Sequence, residues 1–293
     1  MTSVALIGIG AMGEPMAANL LRKGLSVTIV QRRNPAPVDR LKALGAKVVE
    51  SPHEAAAGAD IAILSLPTSK EVEACLLGEK GMLSAMRAGS VVLDCSTSDP
   101  ASTRRLAALA AERKVGYVDA GMTRGVAGAK QGTLAFFIGG VQEHIDRAMP
   151  ALDAMGDTFV HVGPVSHGHT AKVISNVLSY ATVALVNESL ALGIRNGLDG
   201  QKLFDALMQG AQSKALEAFG PRILKSEYSP PRVSVDHVCD DMVMAHALAG
   251  QGATPIFMLG VAESLYKLLA AGGHGAADMA AIGTLVPTLG KPE

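Results

Sequence analysis

The feature that most constrains this chain is a glycine-rich turn set between a strand and a helix. A short apolar run, residues 4–7, stops at Gly8, and the turn Gly8-Ile9-Gly10-Ala11-Met12-Gly13 leads into a helical stretch, 13–23, closed by Gly24. In a G-x-G-x-x-G turn the first glycine permits the tight bend, and the second lets a pyrophosphate approach the backbone. The third lets helix and strand pack closely. The helix start adds the positive end of a dipole facing the phosphates. An isolated glycine turn would mean little; the strand before it and the helix after it favour a nucleotide site.

Further apolar runs at 27–30, 61–66, 90–93, 117–118, 134–138 and 159–162 are mostly separated by helical segments. That alternation predicts a parallel sheet with helices on both faces. After Gly163-Pro164 the strand-like runs stop, and Ala/Leu-rich stretches continue to Leu289. The expected organisation is therefore an α/β domain over 1–163, then an all-α domain over 164–293. A long helix from about Gly168 to Asn196 leads into the second domain. With 293 residues, the chain has room for two domains.

Composition narrows the function classes. Hydrophobic residues form 48% of the chain and charged residues 18%, which excludes a wholly disordered protein. The net charge of −1, with no long basic run, argues against a nucleic-acid partner. Three cysteines, Cys75, Cys95 and Cys239, are an odd number without metal-ligand spacing, so a reducing cytoplasm is the expected setting. No basic segment precedes the first apolar stretch, as a signal peptide would require. Residues 176–194 are long and apolar but carry Asn187 and Glu188, and they read as a buried helix rather than a bilayer span. His167 and His169 have no convincing third ligand, so no metal is expected.

The end of the second strand bears on which dinucleotide binds. An NAD site usually places an acid there to bond the ribose 2′-hydroxyl. This chain has Gln31-Arg32-Arg33-Asn34 instead, and guanidinium groups bind phosphate well. NADP is thus expected over NAD, the alternative being that the two arginines merely cap a strand in solvent.

The run GIGAMGEPMAANLLRKG resembles the opening of the β-hydroxyacid dehydrogenase family, which includes 3-hydroxyisobutyrate dehydrogenase and tartronate semialdehyde reductase. The similarity continues through Leu66-Pro67, Asp94-Cys95-Ser96-Thr97, residues 128–134, residues 168–176 and, more faintly, 275–278. The resemblance implies a Rossmann-type domain followed by an all-helical one. It also implies Gly8, Gly10, Ala11, Met12, Gly13, Gln31, Arg32, Arg33, Leu66, Pro67, Ser96 and Thr97 as the cofactor side. Ser96 and Thr97 would lie near the nicotinamide ribose, although ordinary strand-end caps explain them equally well.

Lys172 and Asn176 are four residues apart on the expected long helix and so share a face. Taken alone, such a lysine is usually solvated surface. The family pattern Gly-x-Gly-x-x-x-Lys-x-x-Asn-Asn makes these the catalytic pair, with the first Gly and first Asn replaced here by Ser166 and Ser175. The family's Asp-Ala-Pro-Val-Ser-Gly-Gly stands as Asp119-Ala120-Gly121-Met122-Thr123-Arg124-Gly125. By resemblance Thr123, Arg124 and Gly125 hold the substrate's acid end. Arg124 replaces a glycine and either enters the pocket or points to solvent. At His237-Val238-Cys239-Asp240-Asp241-Met242 the family commonly has Lys-Asp-Leu, so Asp240 would take the place of a lysine near cofactor and substrate.

What the resemblance implies is an NAD(P)-dependent dehydrogenase or reductase. Its substrate would be a small anionic 3-hydroxy acid or the corresponding aldehyde acid, and the enzyme a homodimer or homotetramer. The alternatives are a reductase of a sulfonated aldehyde such as 3-sulfolactaldehyde, an imine or amino-acid reductase, and a nucleotide-binding module without catalysis. Retention of Lys172 counts against the last.

Overall fold

The structure is a computed structural model, and it describes residues 2–30, 34–78 and 80–285. The strands are β1 (Ser3–Ile7), β2 (Ser26–Val30), β3 (Lys47–Val49), β4 (Ile61–Leu64), β5 (Val91–Asp94), β6 (Gly116–Thr123), β7 (Leu134–Gly139) and β8 (Gly156–Gly163). Between them lie α1 (Gly13–Arg22), α2 (Ala36–Ala43), α3 (Pro52–Ala56), α4 (Ser69–Leu76), α5 (Met82–Ala85), α6 (Pro100–Glu112), α7 (Gly125–Gln131) and α8 (Gln142–Met155). Then follow α9 (His167–Arg195), α10 (Gly200–Gly210), α11 (Lys214–Lys225), α12 (Val235–Gln251) and α13 (Phe257–Leu269).

All eight strands form one sheet in the order β3-β2-β1-β4-β5-β6-β7-β8. Strands β1 to β6 run parallel, which explains the nearly unbroken apolar sequences of β1, β4 and β5. Val4 and Leu6 enter the core on one face of the sheet, Ala5 and Ile7 the core on the other, and Ile61/Ile63 against Ala62/Leu64 repeat the pattern. The sheet is not wholly parallel, however. β6 pairs antiparallel with β7, because residues 124–133 between them are too few for a crossover back to the starting edge. β3 has no counterpart among the apolar runs of the sequence. It is only three residues long, and Lys47 is exposed.

The chain separates into two compact units, the first ending at Lys172 and the second beginning at Val173. That division falls later than the 163/164 boundary expected from Gly163-Pro164, because the first turn of α9 is bonded to the sheet. The second unit is helical, with no named strand among its described residues. Its core gathers Val173, Val177, Tyr180, Val183 and Leu190 of α9 with Leu216, Phe219 and Ile223 of α11, Val238 and Met242 of α12, and Tyr266 of α13. By length and composition α9 could cross a membrane, yet these residues face a packed helical core.

Candidate active site

The glycine turn sits at the carboxyl end of β1, beside the point where strand order reverses between β1 and β4. In open α/β sheets that crevice is where ligands bind. Each glycine has its own reason. Gly8 has φ +104°, and a Cβ there would collide with the Ser65 carbonyl at the end of β4; a Cβ on Gly13 would collide with the Gly8 carbonyl. A Cβ on Gly10 would meet nothing within 4 Å, so this exposed stretch of backbone can be approached closely from outside. Geometry of this kind fits a dinucleotide pyrophosphate.

Leu66, just past β4, borders the turn, its side chain 3.3 Å from where a Cβ on Gly8 would lie, and exposed Pro67 follows it. The Leu66 backbone N–H donates to Ser96 Oγ at 3.0 Å, and the Ser96 N–H donates to Asp94 Oδ1 at 3.0 Å. Ser96 is buried and braces the two loops, whereas Thr97 beside it is half-buried. Gln31, Arg32 and Arg33 lie outside the described residues.

The start of α9 is bolted to β6 by a carboxylate. Asp119 Oδ1 accepts the backbone N–H of Ser166 at 2.7 Å, and Oδ2 accepts that of His169 at 2.8 Å. Burial pushes the Asp119 carboxyl above its usual value, against the opposing pull of His169 and these N–H groups. The buried imidazole of His169 is held between Thr103 Oγ1, 2.8 Å from Nδ1, and the Asp94 carbonyl, 3.2 Å from Nε2. Gly168 fits because any Cβ would press on the Asp119 and Phe137 carbonyls, 2.5 Å away. One turn further on, the Lys172 stem crosses Gly121 of β6 so closely that a Cβ on Gly121 would lie 2.5 Å from Lys172 Cβ. Lys172 is therefore seated at the carboxyl end of the sheet, in the same unit as the glycine turn and Thr123.

Asn176 follows Lys172 by one helical turn and belongs to the second unit. Its Nδ2 donates to Asp241 Oδ2 at 2.6 Å, and the Tyr180 hydroxyl donates to the same oxygen at 2.7 Å. The acid beside Asn176 is thus Asp241 and not Asp240, whose side chain is exposed on α12.

A family model described as the NAD binding domain of 6-phosphogluconate dehydrogenase matches residues 3–163. A second, described as NAD-binding of NADP-dependent 3-hydroxyisobutyrate dehydrogenase, matches residues 166–286. Over 99% of this chain and 100% of the relative, the sequence is 36% identical to an NAD-dependent L-serine dehydrogenase of Pseudomonas aeruginosa. It is 34% identical to the 3-hydroxyisobutyrate dehydrogenase of the same organism, over 95% of this chain and 94% of that one. The chain belongs to the β-hydroxyacid dehydrogenase family. Among solved structures, Mycobacterium tuberculosis 3-hydroxyisobutyrate dehydrogenase with L-serine is similar at a TM-score of 0.88 and 28% identity, covering 98% of this chain and 100% of that one.

Two departures from the β-hydroxyacid dehydrogenase pattern fall on backbone that favours glycine. Ser166 has φ +81° and Arg124 φ +76°, each where the family pattern has Gly. Both side chains are anchored. Arg104 donates to Ser166 Oγ at 3.2 Å. The Arg124 guanidinium donates to Asp157 Oδ1 at 2.5 Å, the Thr133 carbonyl at 2.7 Å and Thr158 Oγ1 at 2.8 Å. Arg124, expected at the substrate's acid end, instead reaches the outermost strand, β8, away from β5 and β4. Gly125 remains exposed at the start of α7, and Thr123 half-buried at the end of β6. The sequence patterns give Asp119 and Asp241 no role of their own, and His169 stands out there only as half of a histidine pair. An acid inside the apolar run of β6 was the available signal, since a buried carboxylate persists only where donors meet it.

Proposed function

We propose that this chain, an NAD(P)-dependent oxidoreductase of a small hydroxy acid, uses Lys172 as the general acid and base at the reacting oxygen. The observation that carries this is the seat of Lys172 on Gly121, fixed by Asp119 at the sheet edge that bears the glycine turn. Gly8, Gly10 and Gly13 would hold the dinucleotide, which when bound supplies the hydride chemistry. In reduction Lys172 gives a proton to the carbonyl oxygen; in oxidation it takes the hydroxyl proton. Asn176, on the same face of α9, orients that oxygen. Thr123 and Gly125 meet the carboxylate of a 3-hydroxy acid.

NADP as preferred cofactor is supported by Arg32 and Arg33 after β2 and by the lack of an acid there. A sulfonated aldehyde would call for a cation at the substrate's acid end, and Arg124, bonded to Asp157, lends that alternative no support. A cytoplasmic setting fits three unpaired cysteines. Self-association is supported by an exposed apolar stripe on α9, Ile174, Leu178, Leu185 and Leu192, with Phe257, Val261 and Leu268 of α13.

The test is oxidation of 3-hydroxypropanoates carrying methyl, amino or hydroxyl at C2, each with NADP⁺ and with NAD⁺. Turnover of at least one is expected. No turnover of any, and none of their aldehydes in reverse, would contradict the reading.

A further inference from the structure

We infer that Asp241 is a positioning residue, setting which atoms of Asn176 face the reacting oxygen. The inference rests on the role given to Asn176 above. A carboxamide has an N–H₂ end with two donors and a carbonyl end that only accepts, and an ionised carboxylate only accepts. At 2.6 Å from Asp241 Oδ2, only the N–H₂ end is tolerable, so the flip of the Asn176 amide is fixed. One N–H is consumed; the carbonyl and the second N–H are left for chemistry.

Asp241 is more than a tie between helices. It is 1% exposed, and both donors reaching it come from α9, Asn176 and Tyr180 one turn apart, onto a single oxygen. Its other oxygen, Oδ1, is buried with no hydrogen-bond partner among the described residues. A structural carboxylate would ordinarily have both oxygens satisfied. The His237 ring is on the same helix with Nε2 3.7 Å from Oδ2, beyond hydrogen-bond reach. Asp241 therefore acts on Asn176 as the acceptor that orders its amide. Asp240, one residue earlier, is exposed and has no such hold on Asn176.

The decisive variant is Asp241→Leu combined with Tyr180→Phe. It replaces a buried polar pair by near-isosteric apolar groups, an exchange often neutral or stabilising, and it frees the half-buried Asn176 amide to hydrate. Because the two residues are coupled, kcat/KM should fall about 10-fold with cofactor affinity within about 2-fold of wild type. Adding Asn176→Ala to that background should cost less than about 2-fold more, whereas in the wild type it costs about 10-fold. Wild-type kcat/KM in the apolar variant, or a full further loss from Asn176→Ala, would overturn the inference. Asp241→Asn gives a second arm that preserves shape. Its carbonyl still accepts both bonds, so activity should stay within about 3-fold, and a loss beyond about 10-fold would overturn positioning by an acceptor. Asn176→Ala silent in the wild type would instead overturn the role of Asn176, and this inference with it.

Discussion

Asp119 Oδ2 lies 2.8 Å from the backbone nitrogen of His169, and through that bond the sheet sets the position of Lys172 three residues along α9. The same carboxylate takes the Ser166 N–H, so two buried donors depend on one side chain. Asp119→Ala leaves both unpaired, at a cost of about 1–3 kcal/mol each. Chemical denaturation should show a lower midpoint with little change in slope. Activity should fall more than stability alone explains, because the seat of Lys172 is loosened. An unchanged midpoint would show that α9 is held by other means.

Ser166 and Arg124 carry side chains on left-handed backbone where glycine is at ease. A non-glycine residue there costs about 1 kcal/mol, and an exposed ion pair such as Arg124–Asp157 returns about 0–1 kcal/mol. Arg124→Gly should therefore be close to neutral in thermal stability, and Ser166→Gly neutral to stabilising. Neither should alter KM for an anionic substrate by more than about 2-fold, as neither side chain is assigned to binding. A tenfold rise in KM for Arg124→Gly would return its guanidinium to the pocket.

Cofactor choice turns on Arg32 and Arg33. A charge-assisted contact to a 2′-phosphate is worth about 1.5–3 kcal/mol, so NADPH should bind about 10-fold or more tightly than NADH. Arg32→Ala with Arg33→Ala should erase that ratio. Fluorescence titration of both cofactors checks it, and equal affinities in the wild type would contradict the assignment.

The apolar stripe of α9 predicts self-association. Light scattering should give at least a dimer, and Leu178→Glu with Leu185→Glu, both exposed in the single chain, should yield monomers that still fold. A wild-type monomer would show that the stripe serves something else.

The sequence made the first unit legible because its chemistry is local. A glycine turn between strand and helix needs only neighbours in the chain, and buried parallel strands leave apolar runs. β3 escaped notice because three residues leave no period to read, and β6–β7 because pairing direction depends on the connection between them. Arg124 was ambiguous for a different reason. Its sequence neighbours do not reveal Asp157, which arrives from β8. In the same way Asp240 and Asp241 look equivalent in sequence, and only the helical packing of α12 sets one in solvent and the other against Asn176.

The most direct measurement is steady-state turnover of Lys172→Met alongside cofactor binding. Methionine keeps the stem that packs on Gly121 and removes the proton donor. With Lys172 as the acid and base, kcat should fall about 10²–10⁴-fold while the Kd for NADPH stays within about 2-fold. Near-normal turnover in Lys172→Met, at unchanged cofactor affinity, would show that another group moves the proton.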